Sequence, residues 1–156
     1  MNLKILILLL TLSSTVFGQA VNKKSYTFTI AKGKIVKENK QTFFVIPTTL
    51  TNKTKDTLKY LSMSCSWQEF YSINSEKIQI VNSSCDKNIP ILLTLAPNQS
   101  TKVKVKLYKP KSFASAIKFR LGFKLFKVSN TVRKLNFPSS VKQKNKIVIW
   151  SDTISI

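Results

Sequence analysis

Histidine is absent from this 156-residue chain, and carboxylates are scarce, with 6 Asp and Glu against 26 Lys and Arg. Without an imidazole, Ser-His-Asp and Cys-His nucleophilic schemes are excluded, and the commonest general base is missing. Any acid/base chemistry would fall to Glu38, Asp56, Glu69, Glu76, Asp86 and Asp152. Of these, Glu69, Glu76 and Asp86 lie nearest the cysteines and are the ones that could converge into a hydrolase site. Among so many lysines, each reads better as an ion-pair partner or turn residue. Glycine occurs only at Gly18, Gly33 and Gly122, so there is no phosphate-cradling loop and no glycine-rich linker. Two cysteines without histidine or CxxC spacing make a poor metal or redox site. The expectation is a chain that is no enzyme and takes no cofactor or metal.

Long hydrophobic runs are also missing, apart from one at the start. Lys4 precedes an apolar run from Ile5 to Leu12, and Val16 and Gly18 stand at −3 and −1 of a cut before Gln19. A cut after Ala20 is the near alternative. The run falls short of the ~20 residues that cross a bilayer, so it reads as a cleaved export signal over residues 1–18. Residues 19–156 then form one domain, secreted or periplasmic, with no transmembrane segment. In an oxidising compartment Cys65 and Cys85 are best read as one disulfide.

What the chain has in excess is positive charge: +20 overall, with lysine supplying 24 of the 26 cations. The excess is concentrated after residue 100, where 14 basic residues face one acid. There Lys102, Lys104 and Lys106 interleave with Val103, Val105 and Leu107. Farther on, Lys118, Arg120 and Lys124 interleave with Ile117, Phe119, Leu121, Phe123 and Leu125. A period of two means strands with one buried and one wet face, and here the wet face is cationic. If the two segments pair as a hairpin, all six cations share one sheet face.

Other strands are expected at Tyr26–Ile30, around Ile35–Val36, and at Thr42–Leu50, where Pro47 implies an edge or a bulge. Thr57–Trp67 follows, with Leu61, Met63, Cys65 and Trp67 on one face and Tyr60, Ser62, Ser64 and Ser66 on the other. Phe70–Ile73 and Lys77–Val81 are short strands. Ile89–Leu95 reads as a strand covered on both sides. Residues 127–146 form a basic loop with a short strand at Val132–Phe137. Ile147–Trp150 and Thr153–Ile156 end the chain, bent at Ser151-Asp152. No segment sustains a helical period. The pattern predicts an all-β fold, an immunoglobulin-like antiparallel β-sandwich of about 7–9 strands with one disulfide. Leu61, Met63, Trp67, Val103, Val105, Phe119, Leu121 and Phe123 should be core.

Four stretches carry a resemblance: Leu50-Thr-Asn-Lys-Thr-Lys-Asp-Thr-Leu58, Met63-Ser-Cys-Ser-Trp67, Cys85-Asp-Lys-Asn-Ile-Pro90 and Leu95-Ala-Pro-Asn-Gln-Ser100. Together, over residues 43–107, they resemble small uncharacterised exported immunoglobulin-like β-sandwich proteins of Bacteroidota-type bacteria. The resemblance implies a fold and carries no activity. Trp67 stands only two residues after Cys65, so the antibody-type core pin is not implied.

The functional expectation is a non-catalytic binding or scaffolding module. Its candidate anion-binding residues are Lys102, Lys104, Lys106, Lys118, Arg120 and Lys124. The partner would be a polyanion, such as lipopolysaccharide or acidic polysaccharide, or an acidic protein. Specific nucleic-acid recognition is not expected, because no aromatics interleave on the polar face for base stacking. The alternative is a protein-binding module, for instance an inhibitor of an exported protease, presenting Trp67–Ile73 or Tyr108–Ala116. Asn52-Lys-Thr54, Asn82-Ser-Ser84 and Asn98-Gln-Ser100 match N-glycosylation acceptors.

Overall fold

The computed structural model describes residues 24–108, 116–129 and 146–156. The segment read as an export signal, most of the Tyr108–Ala116 connection and most of the basic stretch 127–146, with its expected Val132–Phe137 strand, lie outside them. Among the described residues there are twelve strands and one turn of 3-10 helix, Trp67–Phe70. The strands are β1 (Tyr26–Ile30), β2 (Lys34–Glu38), β3 (Gln41–Asn52), β4 (Leu58–Met63), β5 (Tyr71–Ile73) and β6 (Gln79–Ile80). After them come β7 (Pro90–Leu95), β8 (Ser100–Tyr108), β9 (Lys118–Phe119), β10 (Leu121–Phe126), β11 (Lys146–Trp150) and β12 (Ile154–Ser155). Every pairing is antiparallel. The fold is all-β with a Cys65–Cys85 disulfide, as the sequence predicts. The strand number exceeds the expected 7–9 because several elements are only two or three residues long.

One layer is a five-stranded sheet in the order β1-β3-β8-β6, with β2 also paired to β3. The other consists of β11-β10-β5, the β9–β12 pair and the β4–β7 pair. Phe28 of β1 stacks on Phe123 of β10 at 5.9 Å and meets Tyr71 of β5 at the same distance. Those contacts mark the interior. Ile46, Leu50, Val105 and Leu107 line it from the first layer, and Tyr60, Phe119, Leu121, Phe123 and Leu125 from the second.

β3 runs down the middle of its sheet, which overturns the edge or bulge that Pro47 implied. The proline is tolerated because it sits where the neighbour changes. β2 pairs with β3 as far as Val45, and β1 pairs from Thr48 onward. The Pro47 carbonyl accepts from the Ala31 amide on that side, at 2.9 Å. A strand residue's N–H and C=O point the same way, so the donor that proline lacks would face only the β2–β1 junction.

The expected strand Thr57–Trp67 also departs from its reading. It stops at Met63, and both of its faces are covered. Leu58, Tyr60 and Ser62 face the interior, where Tyr60 meets Phe123 edge-on at 6.2 Å. Leu61 is equally buried, on the side that the 3-10 turn covers with Phe70. Met63, Trp67 and Val103 are only partly buried, while the other five expected core residues are buried. Ile89–Leu95 is not covered on both sides either. Among the described residues β7 pairs with β4 alone, and only Leu95 of the strand is buried.

All four of the resembling stretches turn out to be structural joints. Asn52 is fully buried, yet every polar atom of its amide is used. Its Nδ2 donates to the carbonyls of Asp56, Leu95 and Ala96, and its Oδ1 accepts from the Thr54 amide and hydroxyl. That geometry ties the turn after β3 to the end of β7 and removes Asn52 as a glycan acceptor. Asn98 takes a positive φ of 58° in the turn before β8, a conformation asparagine tolerates. The Ser-Cys-Ser-Trp and Cys-Asp-Lys-Asn stretches meet through more than sulfur. Asn88 Oδ1 accepts from the Cys65 and Ser66 amides, and its Nδ2 donates to the Ser66 hydroxyl. Gln68 Nε2 adds a bond to the Ser83 hydroxyl at 2.6 Å. The disulfide thus closes a loop already stitched by amides.

Candidate functional site

The two lysine-alternating segments do not form a hairpin. β8 pairs with β3 along its length and with β6 at one end. The second segment pairs instead with β12, β11 and β5. Because Val103, Val105 and Leu107 point inward from one layer and Phe119, Leu121, Phe123 and Leu125 from the other, the cations leave on opposite outer surfaces. A single plane holding all six candidate residues is excluded by this pairing.

On the five-stranded sheet, register gives the composition of the outer face. Thr27, Thr51 and Ser100 lie in one row across the strands, and Thr29, Thr49 and Lys102 in the next. Lys104 stands opposite Pro47, and Lys106 beside Val45 and Lys34. Lys102 and Lys104 are exposed and make no ion pair or side-chain hydrogen bond among the described residues. Residues two apart on a strand are separated by about 7 Å, where two ammonium groups repel by only about 0.6 kcal/mol in water. The fold tolerates that without a counter-ion. Lys106 differs, since its Nζ bonds Glu38 at 2.6 Å and lies 4.9 Å over the Phe43 ring.

The other row is mostly engaged. Arg120 Nε donates to the Ser151 carbonyl at 3.0 Å, and its guanidinium lies 5.6 Å over the Trp150 ring. That ring crosses directly over Gly122, where an added Cβ would come within 2.9 Å of it. Lys124 donates to the Glu69 carbonyl at 3.0 Å, among Leu61, Phe70 and Phe126. Burial pushes its pKa down, helped by Lys146 and opposed by Glu69. Lys118 alone in this row is exposed without a partner among the described residues.

A second feature was not legible in the sequence. A cleft of about 370 Å³ opens between the layers, lined by Val103 and Lys102 of β8, Ile91 and Leu93 of β7, and the rings of Trp67 and Phe123. At its base stand the hydroxyls of Thr48 and Tyr71. Thr48 Oγ1 donates to the Val103 carbonyl at 2.8 Å. Burial raises the Tyr71 pKa to about 12, with a hydrogen bond to Thr48 opposing the rise and Tyr60 adding to it. The residues come from six separate elements, which is why no local motif announced them.

The proposed inhibitory segment Trp67–Ile73 is not a presented loop, because Gln68, Phe70 and Tyr71 are buried. The other, Tyr108–Ala116, falls mostly outside the described residues. Glu69, Glu76 and Asp86 do not gather with the cysteines into a metal-holding cluster among the described residues. No helix there is long and apolar enough to cross a membrane.

No protein-family model matches the chain. No curated protein matches it. Among solved structures it is similar to the crystal structure of a FixG-related protein from Vibrio parahaemolyticus, at 9% identity. The match covers 81% of this chain and 93% of that one with a TM-score of 0.35, a likeness too low to carry an argument.

Proposed function

We propose that this chain is an exported, non-catalytic binding module that contacts an anionic partner through the outer face of its five-stranded sheet. The observation that carries the reading is the pairing of free ammonium groups with a ladder of hydroxyls. Lys102 and Lys104 stand beside Thr29, Thr49, Thr51 and Ser100 on one exposed antiparallel surface. Ammonium groups attract carboxylates or sulfates, and hydroxyls add short-range hydrogen bonds to sugar oxygens. An acidic polysaccharide or lipopolysaccharide fits that mixture. The second row lends little, since Arg120 and Lys124 already serve the protein's own carbonyls.

An immunoglobulin-like arrangement is supported by the strand orders. β1-β3-β8-β6 follows A-B-E-D, and β5-β10-β11 follows C-F-G, with β2 and the β4–β7 pair added. Export is supported by the signal-like start of the sequence and by the disulfide.

Binding to polygalacturonate, followed by calorimetry over a salt series, tests the reading. Lys102→Glu with Lys104→Glu should weaken binding at least tenfold, and added salt should weaken the wild type steeply. Lys118→Glu should change affinity much less. Equal losses from either surface would sink the assignment to the five-stranded sheet. A second reading, a protein-binding module, is favoured by the apolar cleft between the layers.

A further inference from the structure

The cleft is flanked by two strand edges with unused backbone groups. β8 pairs with β6 only at Leu107 and Tyr108, so among the described residues its first part has β3 on one side and no strand on the other. Which groups point outward follows from one hydrogen bond. The Lys106 carbonyl accepts from the Val81 amide, on the side away from β3. Alternation along an antiparallel ladder then turns the N–H and C=O of Lys104 and Lys102 to that same side, where the described residues make no bond to them. Across the cleft the same reasoning applies to β7. Lys59 gives its carbonyl to Val128 on the side away from β7, so Ser62, Tyr60 and Leu58 bond β7, and Leu92 and Thr94 face outward.

We infer that this cleft takes an extended segment of an acidic partner protein, added as a further strand along the β8 edge from Ser100 to Lys104. The inference rests on the second reading above and names the partner's chemistry. Backbone bonding supplies the anchor, as in other strand-addition interfaces. Alternation supplies the selectivity. Every second side chain of an added strand would enter the cleft against Val103, Leu93 and the Trp67 ring. The side chains between them would stand on the outer face beside Lys102 and Lys104, where opposite charges across strands are favourable and like charges are not. The segment therefore alternates apolar residues with Asp or Glu over about five positions. A second copy of the chain is the wrong occupant, because two molecules of charge +20 repel. Edge lysines ordinarily guard a sheet against indiscriminate pairing. Here the same charges choose which strand is admitted.

A blocked hexapeptide, Val-Glu-Val-Asp-Val-Glu, is the probe, with Val-Lys-Val-Lys-Val-Lys as its charge-reversed control. On the Trp150→Phe background Trp67 is the sole tryptophan, and its emission should shift to the blue with the acidic peptide only. Amide exchange on the wild-type protein should slow at least tenfold at Lys102 and Lys104 when the peptide saturates. Lys102→Pro should bind at least tenfold more weakly than Lys102→Ala, since the two share a charge and differ in the edge N–H. Saturable binding of the acidic peptide with both amides unchanged would overturn strand addition and leave an acidic protein partner standing. Equal binding of the lysine peptide would overturn the charge rule. No binding of either at millimolar concentration would overturn both the strand addition and the protein-binding reading. Polygalacturonate binding would then still test the outer-face reading separately.

Discussion

Two segments of this protein carry the same alternation of cation and apolar residue, and the fold puts them to different uses. On β8 the alternation leaves Lys102 and Lys104 bare on a hydroxyl-lined sheet. On β9 and β10 it produces Arg120 clamped between the Ser151 carbonyl and Trp150, and Lys124 bonded to the Glu69 carbonyl. The difference lies in what overhangs each surface. The second layer is crossed by Trp150 and the 3-10 turn, which bring carbonyls and rings within reach of long side chains. Among the described residues, register sets threonines, serine and Pro47 beside Lys102 and Lys104 of the first layer. A lysine on a strand's wet face is therefore available to a partner only where nothing else in the fold recruits it.

The comparison can be broken most forcefully at the disulfide, which lies on the second layer's side. Replacing Cys65 and Cys85 by alanine should cost about 3 kcal/mol of stability, as closure of a loop of about 20 residues predicts. Polygalacturonate affinity at the β8 face should survive under conditions where the variant is folded. Parallel denaturant titrations and calorimetry check both halves.

The interior between the two layers gives the next effect, through pH. Tyr71 is held with a pKa of about 12 against an ordinary 10, chiefly by burial. The folded state therefore keeps a proton that the unfolded chain loses, and the unfolded state binds fewer protons between those values. Stability falls as pH rises from about 10 to about 12, by on the order of 2–3 kcal/mol for this group. Tyr71→Phe should flatten that alkaline decline, with a smaller slope left from Tyr60, whose pKa burial also raises. Urea unfolding at several pH values reads it directly.

Smaller still are the two rows themselves. Arg120→Ala should cost about 1–2 kcal/mol, because it removes a charge-assisted bond to the Ser151 carbonyl and the contact with Trp150. Lys102→Ala should stay within about 0.5 kcal/mol. Thermal unfolding of the two variants side by side gives the contrast, and equal costs would erase the distinction between the surfaces.

Much of this was readable from local pattern. Period two in the lysine strands identified Val103, Val105, Phe119, Leu121 and Phe123 as inward-facing, and all but the partly covered Val103 are buried. The cysteine count and spacing identified the disulfide. The misreadings share one cause, which is that local pattern reports a face and not a neighbour. Pro47 looked like an edge marker, and the junction of two partner strands absorbed it in a central strand. By alternation Tyr60 falls on the face opposite the expected core residue Leu61, and β4 proved to be covered on both sides. Asn52 looked like a glycan acceptor, and carbonyls 43 and 44 residues away buried it.

The candidate site was less legible than the fold. Lys102 and Lys104 stood out in the sequence, but their freedom from partners depends on what the rest of the chain places over them. The cleft was invisible, since Val103, Leu93, Trp67 and Phe123 are drawn together from distant strands. The amino-acid order alone determined that these ribbons are extended, which side of each is greasy, and that the molecule is strongly cationic. Those are consequences of side-chain alternation and composition, which need no partner strand. Tertiary structure alone decided that the two cationic ribbons sit back to back across one core, because strand pairing is chosen by long-range packing of the inward side chains.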